Sequence, residues 1–215
     1  FNQVEYGIYT NKDYGNVRGL ELKLDYSLNN LFIQTNYTYQ FTRGNADNPA
    51  QTFNRQGASI DEVIRFIPMS WDQRHTFNLS LGYNTALYGI TATGYYNSGT
   101  PYTFSPQGES NLALLNLYPN NDYKPSNYYA DLSGYINLPK LFGVSSRLDF
   151  LVYNLTDRYN EYGVSSETGR AYTAVVNETE LLSHRSNFNT YEDRYKDPSM
   201  FSSPRQIKLG LTVLF

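Results

Sequence analysis

Apolar and polar residues alternate with a period of two along seven stretches of this chain, the mark of a β-strand with one apolar face. The clearest stretch is the last, Arg205 to Phe215, where Ile207, Leu209, Leu211, Val213 and Phe215 share one face and Gln206, Lys208, Gly210 and Thr212 the other. Near the start, Asn16 to Tyr26 sets Leu20, Leu22, Leu24 and Tyr26 against Glu21, Lys23 and Asp25. Leu31 to Arg43 sets Leu31, Ile33, Tyr37, Tyr39 and Phe41 against Gln34, Asn36, Thr38 and Gln40. A strand beginning near Gln73 sets Phe77, Leu79, Leu81 and Tyr83 against Asn78, Ser80 and Gly82, and Tyr88 to Asn97 sets Ile90, Ala92 and Tyr96 against Thr91, Thr93 and Tyr95. Tyr128 to Leu138 sets Ala130, Leu132, Ile136 and Leu138 against Asp131, Ser133 and Asn137. Arg147 to Leu155 sets Leu148, Phe150 and Val152 against Arg147, Asp149 and Leu151. A shorter extended piece, Glu5 to Thr10, precedes a turn at residues 11–15.

The links between strands alternate in length. Ser27 to Asn30, Asn84 to Leu87 and Pro139 to Val144 are tight, whereas the stretches near 44–72, 98–127 and 156–204 read as long loops rich in Asn, Ser, Pro and Tyr. Antiparallel strands reverse direction at every link, so all the long loops fall at one end of the sheet. The assigned lipid-facing positions hold no Asp, Glu, Lys or Arg, and the facing-in positions hold Glu21, Lys23, Asp25, Arg74, Asp131, Arg147, Asp149 and Lys208. Strands of about ten residues, tilted near 45°, span about 25 Å, the apolar band of an outer-membrane barrel. The pattern therefore predicts an all-β fold, an antiparallel transmembrane β-barrel wall with long loops outside the cell and tight turns facing the periplasm. Tyr26, Tyr83, Tyr88 and Phe215 fall where one aromatic girdle belongs, and Tyr39, Phe41, Trp71, Tyr96 and Tyr128 where the other does. A soluble β-sandwich also alternates, with shorter strands and less lopsided loops.

Composition sharpens this. Tyrosine occurs 22 times in 215 residues, tryptophan once and cysteine not at all, so no disulfide or thiolate chemistry is available. No apolar run approaches the ~18 residues that a membrane helix needs, while a barrel tolerates a negative mean hydropathy because half of each strand is polar. A net charge of −3 argues against a general nucleic-acid binder. The chain begins at Phe1 without a charged-then-apolar leader, which is expected of a mature protein or a fragment.

Four pieces together carry a resemblance: N-V-R-G-L-E-L-K-L-D-Y at Asn16 to Tyr26, S-W-D-Q-R-H-T-F-N at Ser70 to Asn78, Y-N-L-T-D-R-Y at Tyr153 to Tyr159, and S-P-R-Q-I-K-L-G-L-T-V-L-F at Ser203 to Phe215. In order and spacing they resemble the C-terminal β-barrel portion of a TonB-dependent outer-membrane receptor, and the Tyr- and Asn-rich loops resemble Bacteroidetes-type members. The resemblance implies that residues 1–215 are the last seven to eight strands of a barrel of about twenty-two, with the plug domain absent from this chain. It implies import of a scarce ligand such as a siderophore, vitamin, glycan or peptide across the bacterial cell outer membrane. It also implies partners: outer-membrane lipid, TonB through the missing N-terminal part, a surface lipoprotein, and the barrel-assembly machinery, which would read Leu211, Val213 and Phe215 as an assembly signal. Two other readings stay open, a stand-alone eight-stranded barrel and a surface-docking barrel component of a complex without transport.

Catalytic and cofactor chemistry finds no footing. His75 and Asp72, three apart on a predicted strand, point to opposite faces, and His184 lies in the last loop. No phosphate loop or H-E-x-x-H occurs, and the oxygen-rich pieces at 45–48 and 120–122 read as solvated turns before calcium loops. The N-x-S/T matches at Asn36, Asn78 and Asn154 fall in predicted strands, where polar lumen-facing residues or turn formers are expected. We therefore expect no enzyme, no cofactor and no metal. Ligand contacts are expected from loop residues that can stack and hydrogen-bond, namely Tyr102, Tyr118, Asn120, Tyr123, Arg170, Tyr172 and Tyr191, although tyrosine-rich loops also pack simply on one another.

Overall fold

The computed structural model describes residues 11, 13–57, 65–105, 118–172 and 197–214, with no side-chain description at 55–57 and 214. Seven long strands appear where the alternation places them: β1 (Gly15–Leu28), β2 (Leu31–Gly44), β4 (His75–Asn84), β5 (Tyr88–Asn97), β8 (Asn127–Leu141), β9 (Val144–Tyr153) and β10 (Gln206–Leu214). They form one antiparallel meander in the order β1-β2-β4-β5-β8-β9-β10, and the two-residue β3 (Ile67–Pro68) pairs with the end of β2. The chain is thus all-β, with a single α-helix, α1 (Pro49–Gly57), among the described residues.

Two of the three tight links turn on residues with a left-handed backbone. Asn29 has φ 51° in the two-residue link from β1 to β2, and the β8–β9 turn uses Phe142 at φ 51° and Gly143 at φ 83°. Two successive positive φ angles match the right-handed twist of the flanking strands. Phe142 sits at that tip 95% exposed.

The register assigns every strand to a face, since directly opposed residues lie on the same side of a sheet. One rung runs Tyr26, Ile33, Leu81, Ala92, Leu132, Val152 and Ile207 across all seven strands, apolar throughout. A rung of the opposite face runs Ser27, Phe32, Gly82, Thr91, Ser133, Leu151 and Lys208. Each strand therefore takes the phase its sequence predicts. Tyr26 lies two residues from the turn end of β1, whereas Ile207 lies seven from the corresponding end of β10. That stagger corresponds to a strand tilt of roughly 30°, given about 3.3 Å per residue and 4.8 Å between strands.

On the polar face, Phe32 lies flat over Gly82 of the neighbouring strand, and a β-carbon there would overlap the ring. Gly82→Val is therefore expected to destabilise the sheet by about 1–3 kcal/mol through overpacking. A denaturant midpoint for the single variant and for Gly82→Val with Phe32→Ala checks this; the double variant should recover part of the loss.

Among the described residues no conventional core backs the sheet. Ile67, Met69, Pro101 and Ala171 are their buried apolar side chains, while the apolar face is open, Leu209 at 83% and Leu22 at 56%. Nor is the sheet closed into the predicted barrel. β1 and β10 are its two edges and pair with no further strand among the described residues; the predicted leading strand Glu5 to Thr10 and the terminal Phe215 lie outside them.

Several boundaries differ from the sequence reading. β8 runs through Pro139 to Leu141 because a register shift between Leu138 and Leu141 accommodates the proline, which has no N–H to give to a regular ladder. β9 accordingly begins at Val144 and ends at Tyr153, before the Asn154 turn. β4 begins at His75, not Gln73. The long loops also carry structure that period-two reading misses: α1 and β3 in the first, and the pair β6 (Pro101–Tyr102) and β7 (Asp122–Tyr123) in the second.

Candidate functional site

The described parts of the three long loops, 45–74, 98–126 and 154–205, gather at one end of the sheet and are joined by buried polar residues. Asp72, 0% exposed, is the first anchor. Its Oδ1 accepts the Thr42 backbone N–H at 2.7 Å, closing the first loop onto the end of β2. Its Oδ2 accepts Arg74 Nε at 2.7 Å and the Tyr123 hydroxyl at 3.0 Å, which brings in the second loop. The Arg74 guanidinium also donates to Tyr123 Oη at 2.8 Å and lies 4.2 Å from the centre of the Phe41 ring. Arg74, predicted to face inward, continues the ladder through its carbonyl, which accepts the Gln40 N–H, but spends its charge in the loop layer. A second joint lies beside it: the buried Asn120 amide donates to Asp47 and to the Pro68 carbonyl at 2.9 Å.

His75 takes no part with Asp72. Its Nδ1 lies 2.8 Å from the Tyr37 hydroxyl, and its ring stacks on Tyr39 with centroids 5.1 Å apart. Asp72 precedes the strand rather than lying on it, and the two side chains are held by separate partners.

The third loop is clamped where it leaves and rejoins the sheet. Asn154 and Asp157 adopt φ angles of 52° and 53°, a sharp turn directly after β9. Asn154 Nδ2 donates to the carbonyls of Arg158 and Ser203 at 2.9 and 3.1 Å, and Asp157 Oδ1 accepts the Arg205 N–H at 2.8 Å. Asn160, 1% exposed, accepts the Tyr128 N–H on Oδ1, donates from Nδ2 to the Tyr128 carbonyl and donates its own N–H to Ser202 Oγ. Arg158 lies over the Tyr128 ring at 3.9 Å. The motifs Y-N-L-T-D-R-Y and S-P-R-Q are thus the two halves of one clamp, and S-W-D-Q-R-H is the clamp of the first loop.

Further out, Arg170 pairs with Glu161, whose Oε2 also accepts the Ala171 N–H at 2.7 Å. The Arg170 hydrogen bonds, opposed by burial and assisted by the Ala171 amide, hold the Glu161 carboxyl below its ordinary value of 4.5. A depressed carboxyl pKa contributes stability above the unfolded value and loses it as pH falls through the folded one. Hydrogen-exchange protection of the Ala171 amide should therefore drop about tenfold as pH is lowered from 6 to below 4.5, and Glu161→Gln should make it low and flat over the same range.

The predicted ligand residues divide between these joints. The Tyr102 hydroxyl donates to Asp122 Oδ2 at 3.2 Å, and burial together with that carboxylate pushes it up to about 12. Asn120 and Tyr123 are spent on the first loop, and Arg170 on Glu161 with Tyr172 5.9 Å below it. Tyr118 is exposed, and Tyr191 lies outside the described residues. Leu211 and Val213 stand on the apolar face of the β10 edge. Among the described residues no cluster of three His, Asp or Glu side chains is placed to hold a metal.

An opening that the sequence reading missed lies on the polar face beneath the third loop. A cavity of about 380 Å³ is lined by Tyr129, Asp131, Tyr153 and Gln206 from the strands and by Asn154, Tyr162 and Ser202 from the loop. Tyr129 packs on Tyr95 in a tilted pair with centroids 4.9 Å apart. Elsewhere on this face Lys23 pairs with Asp25 at 2.9 Å and Arg147 with Asp149 at 2.7 Å, while Asp131 in the lining accepts the Asn154 N–H at 2.8 Å. Aromatic faces beside amides and hydroxyls can stack on and hydrogen-bond a neutral polar ligand. The signal in sequence was the row of tyrosines at polar-face positions 95, 129, 135 and 153.

Comparison with protein-family models, with curated proteins and with solved structures finds no match to this chain.

Proposed function

We propose that this chain is the C-terminal wall of a TonB-dependent outer-membrane receptor that imports a scarce ligand, and not an enzyme. The observation that carries the reading is the apolar face, free of charge at its mid-strand positions and continuous across seven staggered strands, set against a polar face with the described parts of the long loops at one end. Such a face needs lipid to cover it, and the two edges, unpaired among the described residues, need further strands of the same wall. In that setting the β10 edge, with Leu211 and Val213, is the strand that the assembly machinery would grasp. The plug and the TonB contact would come from sequence preceding this chain. The polar-face cavity at Tyr129, Asp131 and Tyr162 is where ligand would first meet the wall, and the clamped loops would form its outer mouth.

The test is made in the native host. Disrupting the gene should abolish energy-dependent uptake of one scavenged nutrient, screened as ferric chelate, cobalamin, oligosaccharide and peptide. Deleting residues 156–204 should lower that uptake while leaving the protein in the outer-membrane fraction. Unchanged uptake of all four, with loss of a co-purifying surface protein, would favour a docking role instead.

A further inference from the structure

One corner of the apolar face is chemically unlike the rest. From the turn end of β1 the face runs Leu28, Tyr26, Leu24, Leu22 and Leu20, then reaches Arg18 and Asn16; on β2 it runs from Leu31 to Phe41, then reaches Arg43. The register sets Arg18 opposite Phe41 and Asn16 opposite Arg43, so both cations stand on the apolar face at its loop end. With Asn16, Phe41 and Phe66 they line an open groove of about 560 Å³, and Tyr14 packs on Phe66 with centroids 4.8 Å apart.

Neither cation is neutralised among the described residues. Arg18 Nε donates to Asn16 Oδ1 at 2.9 Å, and the Arg43 side chain makes no hydrogen bond or ion pair with any described residue. By contrast Arg74, Arg147, Arg170 and Arg205 each face a carboxylate, and Arg158 is held by Asn160 and the Tyr128 hydroxyl. Two guanidiniums whose donor edges meet no carboxylate among the described residues suit the oxygens of a phosphate. Depth supports this: ten residues separate Leu28 from Arg18, and at about 3.3 Å each and a tilt of 30–40° they rise roughly 25–29 Å. An apolar band about 25 Å tall ends there, at the level of head groups.

We infer that this groove binds the phosphate of an anionic membrane lipid, with the acyl chains lying along Leu20, Leu22 and Tyr39 below it. The inference rests on the membrane reading above, and its test separates the two. The full chain is first refolded with phosphatidylcholine vesicles and floated on a density gradient. It is then titrated in neutral detergent with phosphatidic acid or phosphatidylcholine and read by native mass spectrometry. Phosphatidic acid should be retained preferentially. Arg18→Gln with Arg43→Gln should lower that preference about thirtyfold, the factor two basic groups contribute near an anionic surface, with an unchanged unfolding midpoint. Arg147→Gln with Lys208→Gln, an equal charge change on the opposite face, should leave it intact. Flotation without a preference for phosphatidic acid overturns this site alone. Failure to float overturns the membrane reading and this site together. Equal loss in the opposite-face variant, or displacement by millimolar inorganic phosphate, reduces the effect to bulk charge or a free anion and also overturns it.

Discussion

Replacing Asp72 with alanine should undo the loop layer without undoing the sheet, at a cost of about 3 kcal/mol or more. The carboxylate is fully buried and serves three donors at once: the Thr42 N–H, Arg74 Nε and the Tyr123 hydroxyl. Its removal strands a buried amide and leaves Arg74, whose side chain keeps only 21% of its surface, without its counter-charge. Donors buried without partners cost more than the hydrogen bond they lost. Asp72→Asn, which keeps one acceptor, should fall between the two. The chain reports on this joint through its single tryptophan, Trp71, adjacent to the anchor and half-exposed. Trp71 emission should shift at a lower denaturant concentration in Asp72→Ala, while the strand signal in circular dichroism keeps the wild-type midpoint. Coincident, unshifted transitions would show that Asp72 holds nothing.

The strands and their faces were legible because each buries only one side and a strand's side chains repeat every second residue; a slip of one would have exchanged both faces. From β1 to β10 the register agrees with the alternation. The loop layer was not legible, for a physical reason. Asn154, Asn160 and Asp72 reach backbone groups 30 or more positions away, as Asp72 does Thr42 and Asn160 does Tyr128, and Asp47 accepts the Ser70 N–H from 23 positions on. Such contacts leave no period in the sequence. Residues chosen for ligand chemistry, Asn120, Tyr123 and Arg170, were chosen for their ability to stack and hydrogen-bond, and the loops use that ability on themselves. Pro139 misled the strand boundary because a lone proline reads as a terminator, yet a bulge lets the ladder pass around it.

Leu132→Arg should separate a membrane wall from a water-exposed sheet more sharply than any other single change. Leu132 stands mid-strand on the apolar face between Ala92 and Val152, and its chain neighbour Ser133 stands at the same depth on the opposite face between Thr91 and Leu151. In a bilayer an arginine at the midplane of the lipid face costs about 2–4 kcal/mol, whereas a polar-face substitution is tolerated. In water the order reverses: an arginine on an open apolar face is hydrated at little cost and improves solubility. Folding into phosphatidylcholine vesicles, followed by protease resistance of the strands, should therefore fall by about 30-fold or more in equilibrium for Leu132→Arg, and change little for Ser133→Arg. Equal tolerance of both would mean that lipid does not cover this face, and the apolar rung from Tyr26 to Ile207 would then need a protein partner along its whole length.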